Sequence, residues 1–434
     1  MSSEILQDKR ALFYKNSIKI NYAFIFVIAL FLINDTVRSA IYYKFGWGNL
    51  LFVLFSIPFV IKKVFIKGNF RPVMLYVTFS FSLFLLLGML LWHRGATYGF
   101  MTISNLLLPL LLLCITIDKE DAIHALRTLL RILNVVMVIV LLLGVIDYLT
   151  HGAIQLLLAR TLFSSFDLGT LIVTEHNYGI YRYYSILGHP LTTAKYFLIF
   201  FIMNNIYAKH DKYLINNYLV TLITLFGLIL SGSKTALVLG LVLFIFFNAK
   251  KNNKWLYVFI LAIAMVVFLQ SSLFQDNLKQ RFVQGAQEGD LTSGRNTLLE
   301  LLIEKDGELP KLLVGGGSDY SREVAENLNG NIHNFEYPAI MLAYDYGIVG
   351  MLLIYFCLFL YPMAQFLIQK RFYVFFIFLI LAIMLNTNNG LASLGSDTLS
   401  SFCFLIFILM NLPGEKAREK DTKKKVRKRI RLTW

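Results

Sequence analysis

Long apolar runs alternate with short polar breaks along almost the whole chain. At about 20 apolar residues per membrane crossing, the runs predict spans at 18–34, 48–61, 72–92, 99–117, 128–149, 188–208, 215–231, 235–248, 255–272, 337–361, 372–387 and 397–412, twelve in all. Charges and turn residues set their ends. Two intervening stretches, 150–187 and 273–336, are too polar for a bilayer and are the places with room for an extramembrane fold. The second holds an amphipathic stretch from Ser293 to Lys305, with Leu298, Leu299, Leu301, Leu302 and Ile303 on one side. Such a helix lies on the membrane surface or caps a bundle. The pattern predicts an all-α polytopic membrane protein. Residues 1–17 precede the spans, 18–412 form the transmembrane domain, and 413–434 form a tail.

Composition agrees with the pattern. The 434 residues are 57% hydrophobic and 15% charged, where soluble domains are about 25% charged. The three cysteines, Cys114, Cys357 and Cys403, all fall inside apolar runs, so neither a disulfide framework nor a Cys/His metal pattern is present. No cleavable signal is evident, and the first run reads as an uncleaved anchor.

Charge orders the spans. Ten of the 41 Lys and Arg residues lie in residues 416–434. A basic tail directly after a span reads as a cytoplasmic segment facing anionic lipid, and this placement argues against nucleic acid as the partner. With the N-terminus also inside, Lys- and Arg-rich segments such as 62–71, 118–127, 209–214, 249–254 and 362–371 fall on the inner side. The segments 35–47, 93–98, 150–187, 232–234, 273–336 and 388–396, poorer in Lys and Arg, fall on the outer side.

Four polar features then share the outer face. Ser231-Gly232-Ser233-Lys234-Thr235 stands between two apolar runs. Lys234 is either a snorkelling turn lysine or a cation set against an anionic headgroup, since a charge at membrane depth is costly. Arg295 follows Thr292 and Ser293, either of which is a helix N-cap, and so falls in a first helical turn. A cation is unfavourable there unless something anionic offsets it. Arg182 sits among Tyr181, Tyr183 and Tyr184, shortly before His189-Pro190 at the mouth of a span. The tyrosines are an aromatic belt or a stacking surface for sugar rings. His333-Asn334 stands at the mouth of the run beginning near Glu336, where the His is a helix cap or a general base.

Several chemistries lack their signature. No Asp-x-Asp, no Gly-rich Lys-Ser/Thr loop and no Gly-x-Ser-x-Gly elbow is present, and the seven histidines are scattered. Cations on one face, with a histidine, instead suit a leaving pyrophosphate neutralised without metal and a hydroxyl deprotonated by His333.

These residues also resemble a family. Ser231 to Val238 is similar to the Ser-Arg-Thr/Gly-Ala segment of the O-antigen polymerase and O-antigen ligase superfamily. Leu312 to Gly317 resembles its Leu-x-Gly-x-Gly stretch. His333-Asn334, followed by Tyr346-Gly347-Ile348-Val349-Gly350, resembles its His-Asn-x-x-Leu and Gly-Ile-x-Gly. Arg182 to Ala194 resembles its Arg…Gly-x-x-x-Pro-Asn segment. The likeness covers roughly residues 180–350. It departs at Lys234, where the family usually has Arg, at Leu191, where Asn is usual, and at Asp345, where Glu is common.

The resemblance implies a GT-C-like membrane glycosyltransferase that inverts the anomeric carbon and uses neither metal nor cofactor. The implied donor is an undecaprenyl-pyrophosphate-linked glycan. Carried over by position, Arg295 and Lys234 hold the pyrophosphate, with Arg182 beside them, and His333 is the base. Tyr181, Tyr183, Tyr184, His189 and Asn334 are candidate glycan or acceptor contacts. The implied product is O-antigen of lipopolysaccharide, capsule or exopolysaccharide, made at the outer side of a bacterial cytoplasmic membrane. A polymerase is the first expectation and a ligase to lipid A–core the second. A flippase for lipid-linked sugar is the reading from another class. Membrane lipids are expected partners, and a chain-length regulator is a candidate partner for the tail.

Overall fold

A computed structural model describes residues 21–41, 49–92, 95–163, 167–248, 295–304, 308–328, 335–387, 389–393 and 396–414, with isolated helical positions between 259 and 270. The described residues form an all-α, membrane-associated protein. Four helices are long and apolar enough to cross a membrane, or five if one bent pair counts as a single span.

In chain order the helices are α1 (Tyr22–Leu32), α2 (Asp35–Ile41), α3 (Leu50–Val60, continued by the wide turn Ile61–Ile66), α4 (Pro72–Leu91), α5 (Ala96–Cys114), α6 (Lys119–Leu149), α7 (Ala153–Arg160) and α8 (Asp167–Asn177). Then come α9 (Pro190–Tyr207), α10 (Asn217–Ser231), α11 (Lys234–Asn248), α12 (Arg295–Glu304), α13 (Tyr320–Leu328), α14 (Pro338–Ile368), α15 (Phe372–Leu385) and α16 (Thr398–Asn411). Local chemistry explains their starts. Pro72, Pro190 and Pro338 occupy first-turn positions, where the missing N–H costs nothing. Asn21, Asn49 and Asn216 cap α1, α3 and α10 by accepting from backbone N–H groups.

Helices α9 and α16 form the centre. All of α16 is buried, as is all of α9 except Leu191 and Thr192. A helix apolar on every side belongs inside a bundle. Polar groups here pair with one another: Asn204 of α9 and Asn134 of α6 exchange amide hydrogen bonds at 2.8 and 3.3 Å. Around the centre, α4 turns most of its apolar surface outward, as a lipid-facing helix does.

Contacts sort the helix ends into two sets. At one end Arg71 donates to Leu113 O and to Asn411 Oδ1, both at 2.9 Å, joining the start of α4 to the finish of α5 and α16. Arg127 pairs with Asp211 at this end. At the other end Trp92 stacks on Tyr320, and Lys195 Nζ donates to Thr398 Oγ1 at 2.8 Å. Tyr183 N donates there to Leu230 O at 3.1 Å. Arg71, Arg127 and Asp211, grouped on one side by the charge pattern, thus lie at one end.

Several expectations are corrected. The run 18–34 is not one straight span. The helix breaks at Ile33-Asn34, and α2, expected in an extramembrane segment, turns through 72° and docks on the bundle. The span expected at 337–361 extends to Ile368 and is broken at Gly347, where φ is 79° and ψ 163°. That backbone region is open essentially to glycine alone. Helix α5 starts at Ala96 and α6 at Lys119, earlier than the apolar runs suggest. In α12, Leu302 and Leu299 pack inward against α13 and Tyr344, whereas Ile303 points out. The helix caps the bundle with a narrower stripe than expected.

Candidate functional site

Helix α10 ends at Ser231 because Gly232 takes a left-handed conformation, φ 63°, a routine glycine stop. Ser233 then restarts the chain: its Oγ accepts from Ala236 N at 3.4 Å and its carbonyl from Leu237 N at 3.0 Å. Lys234 is therefore the first residue of α11. A lysine at the positive end of a helix opposes the dipole, so an anion beside it is favoured.

Arg182 comes to the same place from fifty residues earlier. Its segment runs along the end of α10, tied by the Tyr183–Leu230 hydrogen bond, and a Cβ at Gly232 would lie 3.6 Å from Arg182 Cγ. Its guanidinium donates to Glu175 Oε1 at 2.9 Å. Both side chains are largely buried, yet among the described residues Arg182 Nε and Glu175 Oε2 have no hydrogen-bond partner. A buried donor without an acceptor is costly, and this one lies beside the Ser231–Lys234 turn. The structure thus sets Arg182 against the turn that leads to Lys234.

The tyrosines around Arg182 are not an exposed sugar platform. Tyr183 and Tyr184 are buried. Tyr183 wedges its ring against Gly144 and donates to Val140 O at 2.8 Å. Tyr184 meets the His189 ring edge-on at 5.6 Å. Tyr181 donates to Asp147 Oδ2 at 2.8 Å, and Asp147 also accepts from Gln155 N at 2.8 Å. These rings fix the Arg182 segment to α6 and α7. His189 caps α9, its Nδ1 accepting from Leu191 N at 3.2 Å. That is a capping role.

Arg295 is the first described residue of α12, and its side chain lies outside what is described. His333 and Asn334 lie outside the described residues. Phe335, next in the chain, is buried with Leu302 and stacks on Tyr344 at 5.3 Å. The glycine cluster before α13 has a clear task. Gly316 N and Gly317 N donate to Tyr344 O and Asp345 O at 2.8 and 3.0 Å, while Ile348 N and Val349 N donate to Lys311 O and Leu312 O at 3.0 Å each. The loop thereby satisfies the backbone groups freed by the break at Gly347. Gly315 is needed because a Cβ would lie 2.3 Å from Tyr344 O. Asp345, beside the break, accepts from Ser321 N at 2.8 Å and so caps α13 from the membrane helix.

A second polar cluster escaped the sequence reading. Arg38 of α2 grips Asp397 with both guanidinium nitrogens, and Asn49 Nδ2 adds contacts to the same carboxylate at 3.3 and 3.4 Å. Lys195, buried nearby, donates to Thr398. Asp147 and Asp397 stand in or at the mouth of apolar runs, and an acid in that position is itself a signal. Among the described residues no group of three or more His, Cys, Asp or Glu is placed to hold a metal ion. No protein-family model, curated protein or solved structure matches this chain.

Proposed function

We propose that the chain is a polymerase of bacterial surface polysaccharide, a roughly twelve-span GT-C-like glycosyltransferase of the cytoplasmic membrane. The observation that carries this reading is the meeting of Arg182, with its unpartnered buried Nε, and the turn that places Lys234 at a helix start. A buried arginine short of an acceptor, beside a turn that opens a helix on a lysine, suits a ligand with several anionic oxygens. A pyrophosphate is such a ligand, and a membrane-borne site suits a lipid-linked one.

In this reading Arg182, Lys234 and Arg295 stabilise the charge that develops on the pyrophosphate as it leaves. His333 takes the proton of the acceptor hydroxyl. The hydroxyl oxygen attacks the anomeric carbon from the face opposite the pyrophosphate, the C–O bond to the pyrophosphate breaks, and the configuration inverts. The glycan passes from one undecaprenyl pyrophosphate to another lipid-linked repeat unit, and no metal is required.

The test is an assay of purified protein with an undecaprenyl-pyrophosphate-linked repeat unit, products separated by size. A ladder of lengths from that substrate supports the polymerase. Transfer that occurs only when lipid A–core is supplied makes the protein a ligase. Movement of the lipid between vesicle leaflets without any transfer overturns both and assigns a flippase. His333→Ala is expected to abolish transfer with the protein still in the membrane, and normal product from that variant would remove the base assignment.

A further inference from the structure

The loop 308–313 belongs to a stretch that its polarity assigns to the extramembrane side, yet its side chains do not behave so. Leu309, Leu312 and Leu313 are exposed by 71%, 64% and 57%. They adjoin the end of α4, where Leu90 and Leu91 are exposed by 72% and 64%. The two sets are joined physically. Lys311 Nζ lies 3.9 Å over the Trp92 ring, and Val314 packs at Gly88, one turn inside the end of α4. The leucines therefore continue the apolar surface of a helix long enough to cross a bilayer.

A non-helical segment inside a bilayer must have its backbone polar groups satisfied. In 308–313 three carbonyls are satisfied, that of Glu308 by the Tyr344 hydroxyl at 2.7 Å, which suits a backbone held at the interface with its side chains reaching into lipid. The carbonyls of Lys311 and Leu312 accept from the broken backbone of α14, and the N–H groups of Gly316 and Gly317 are spent on the same break. The break itself is deep: Tyr346 packs edge-on against Phe81 in the middle of α4, at 5.9 Å. The charges of the loop sit at its mouth, where Lys311 pairs with Glu308 at 3.4 Å and lies against Trp92. Trp and Lys are the residues that mark a lipid headgroup level.

We infer that residues 308–313 lie at the headgroup level of the leaflet at the Trp92 end, with the side chains of Leu309, Leu312 and Leu313 reaching toward the acyl chains and Glu308, Lys311 and Trp92 among the headgroups. The partner is bilayer lipid. The loop fixes the height of α12 and α13 above the leaflet through its bonds to α14. This placement does not depend on the reaction the protein performs.

The test uses the full chain in phosphatidylcholine–phosphatidylglycerol vesicles, carrying one nitroxide at Leu309→Cys, Leu312→Cys or Leu313→Cys. The native cysteines are buried and serve as an unlabelled background. Asn327→Cys, on the exposed face of α13, is the control. Relaxation by oxygen is expected to exceed relaxation by a water-soluble nickel complex at the three leucine positions, with the reverse at Asn327. Nickel accessibility at the leucines equal to that at Asn327 would overturn the inference. So would shielding from both reagents, which would set the leucines against protein.

Discussion

Two arginine–carboxylate pairs stand at the Trp92 end of this bundle, and they are built differently. Arg38 and Asp397 meet through both guanidinium nitrogens, and Asn49 adds a further donor to the carboxylate. Arg182 and Glu175 meet through one nitrogen at 2.9 Å, leaving a buried nitrogen and a buried oxygen unspent. The first pair is closed. It holds the bent helix α2 to the start of α16, a junction where the chain departs from a straight span. The second is open, and it lies against the turn that positions Lys234. Saturated geometry suits a strut, and unsaturated geometry leaves hydrogen-bonding capacity for a ligand.

The largest effect is expected at the closed pair. Asp397→Ala takes from Arg38 the carboxylate it grips in a mostly buried setting, and breaking such a pair costs about 3–5 kcal/mol. The detergent-solubilised protein should lose much of its thermal midpoint. The double variant Arg38→Leu, Asp397→Leu should lose less than the two single variants added together, because no charge is left uncompensated. Losses that simply add would show that the two residues do not act as a strut. Glu175→Gln should move the midpoint far less.

The open pair is expected to show itself in function. Arg182→Ala should weaken apparent affinity for the lipid-linked donor about tenfold or more, since a charged hydrogen bond contributes roughly 1.5–3 kcal/mol. Affinity measured by competition with an undecaprenyl pyrophosphate would test it, and an unchanged value would make Arg182 a second strut. Arg182→Lys should fall between, because Lys keeps the charge and loses the planar fork. That variant sharpens the comparison, since a strut needs the fork and a plain charge site does not.

Sequence made the helices legible and left their interruptions hidden. Eleven of the twelve apolar runs coincide with helices, and of 255–272 only isolated positions are described. An apolar run reports lipid or core, and both favour helix, so its position is robust. The break at Gly347 lies inside such a run, and it is dictated by a glycine loop that pairs with it in space. Ile33-Asn34 is similar: the bend is held by Asp397, 359 positions from Arg38. The burial of Tyr183 and Tyr184 was not legible, because tyrosines of an aromatic belt and tyrosines packed between helices have the same local sequence. Arg182 and the Ser231–Lys234 turn stood out because charge and glycine are conspicuous against apolar surroundings. Glu175, on α8, did not stand out, because a polar residue in a stretch already read as extramembrane carries no signal.

A third arginine–carboxylate pair, at the opposite end, sets the lower limit of the comparison. Arg127 and Asp211 are in contact but stand well exposed. The Asp211 carboxyl is held below the ordinary aspartate range, first by the N–H of Lys212, then by the Tyr207 hydroxyl and by Arg127. A depressed folded-state value means that the unfolded chain binds the proton more tightly. Whatever stability this pair contributes is therefore complete above the ordinary aspartate range and is lost as pH falls through the folded-state value. Exposed pairs are also weakened by salt. The midpoint difference between the native chain and Asp211→Asn should be small at neutral pH and shrink toward zero in acid. At 1 M salt the share that comes from Arg127 should go as well. The Asp397→Ala deficit, arising where salt does not reach, should persist in the same salt. If both deficits faded together, burial would not be what separates the strut from a surface contact.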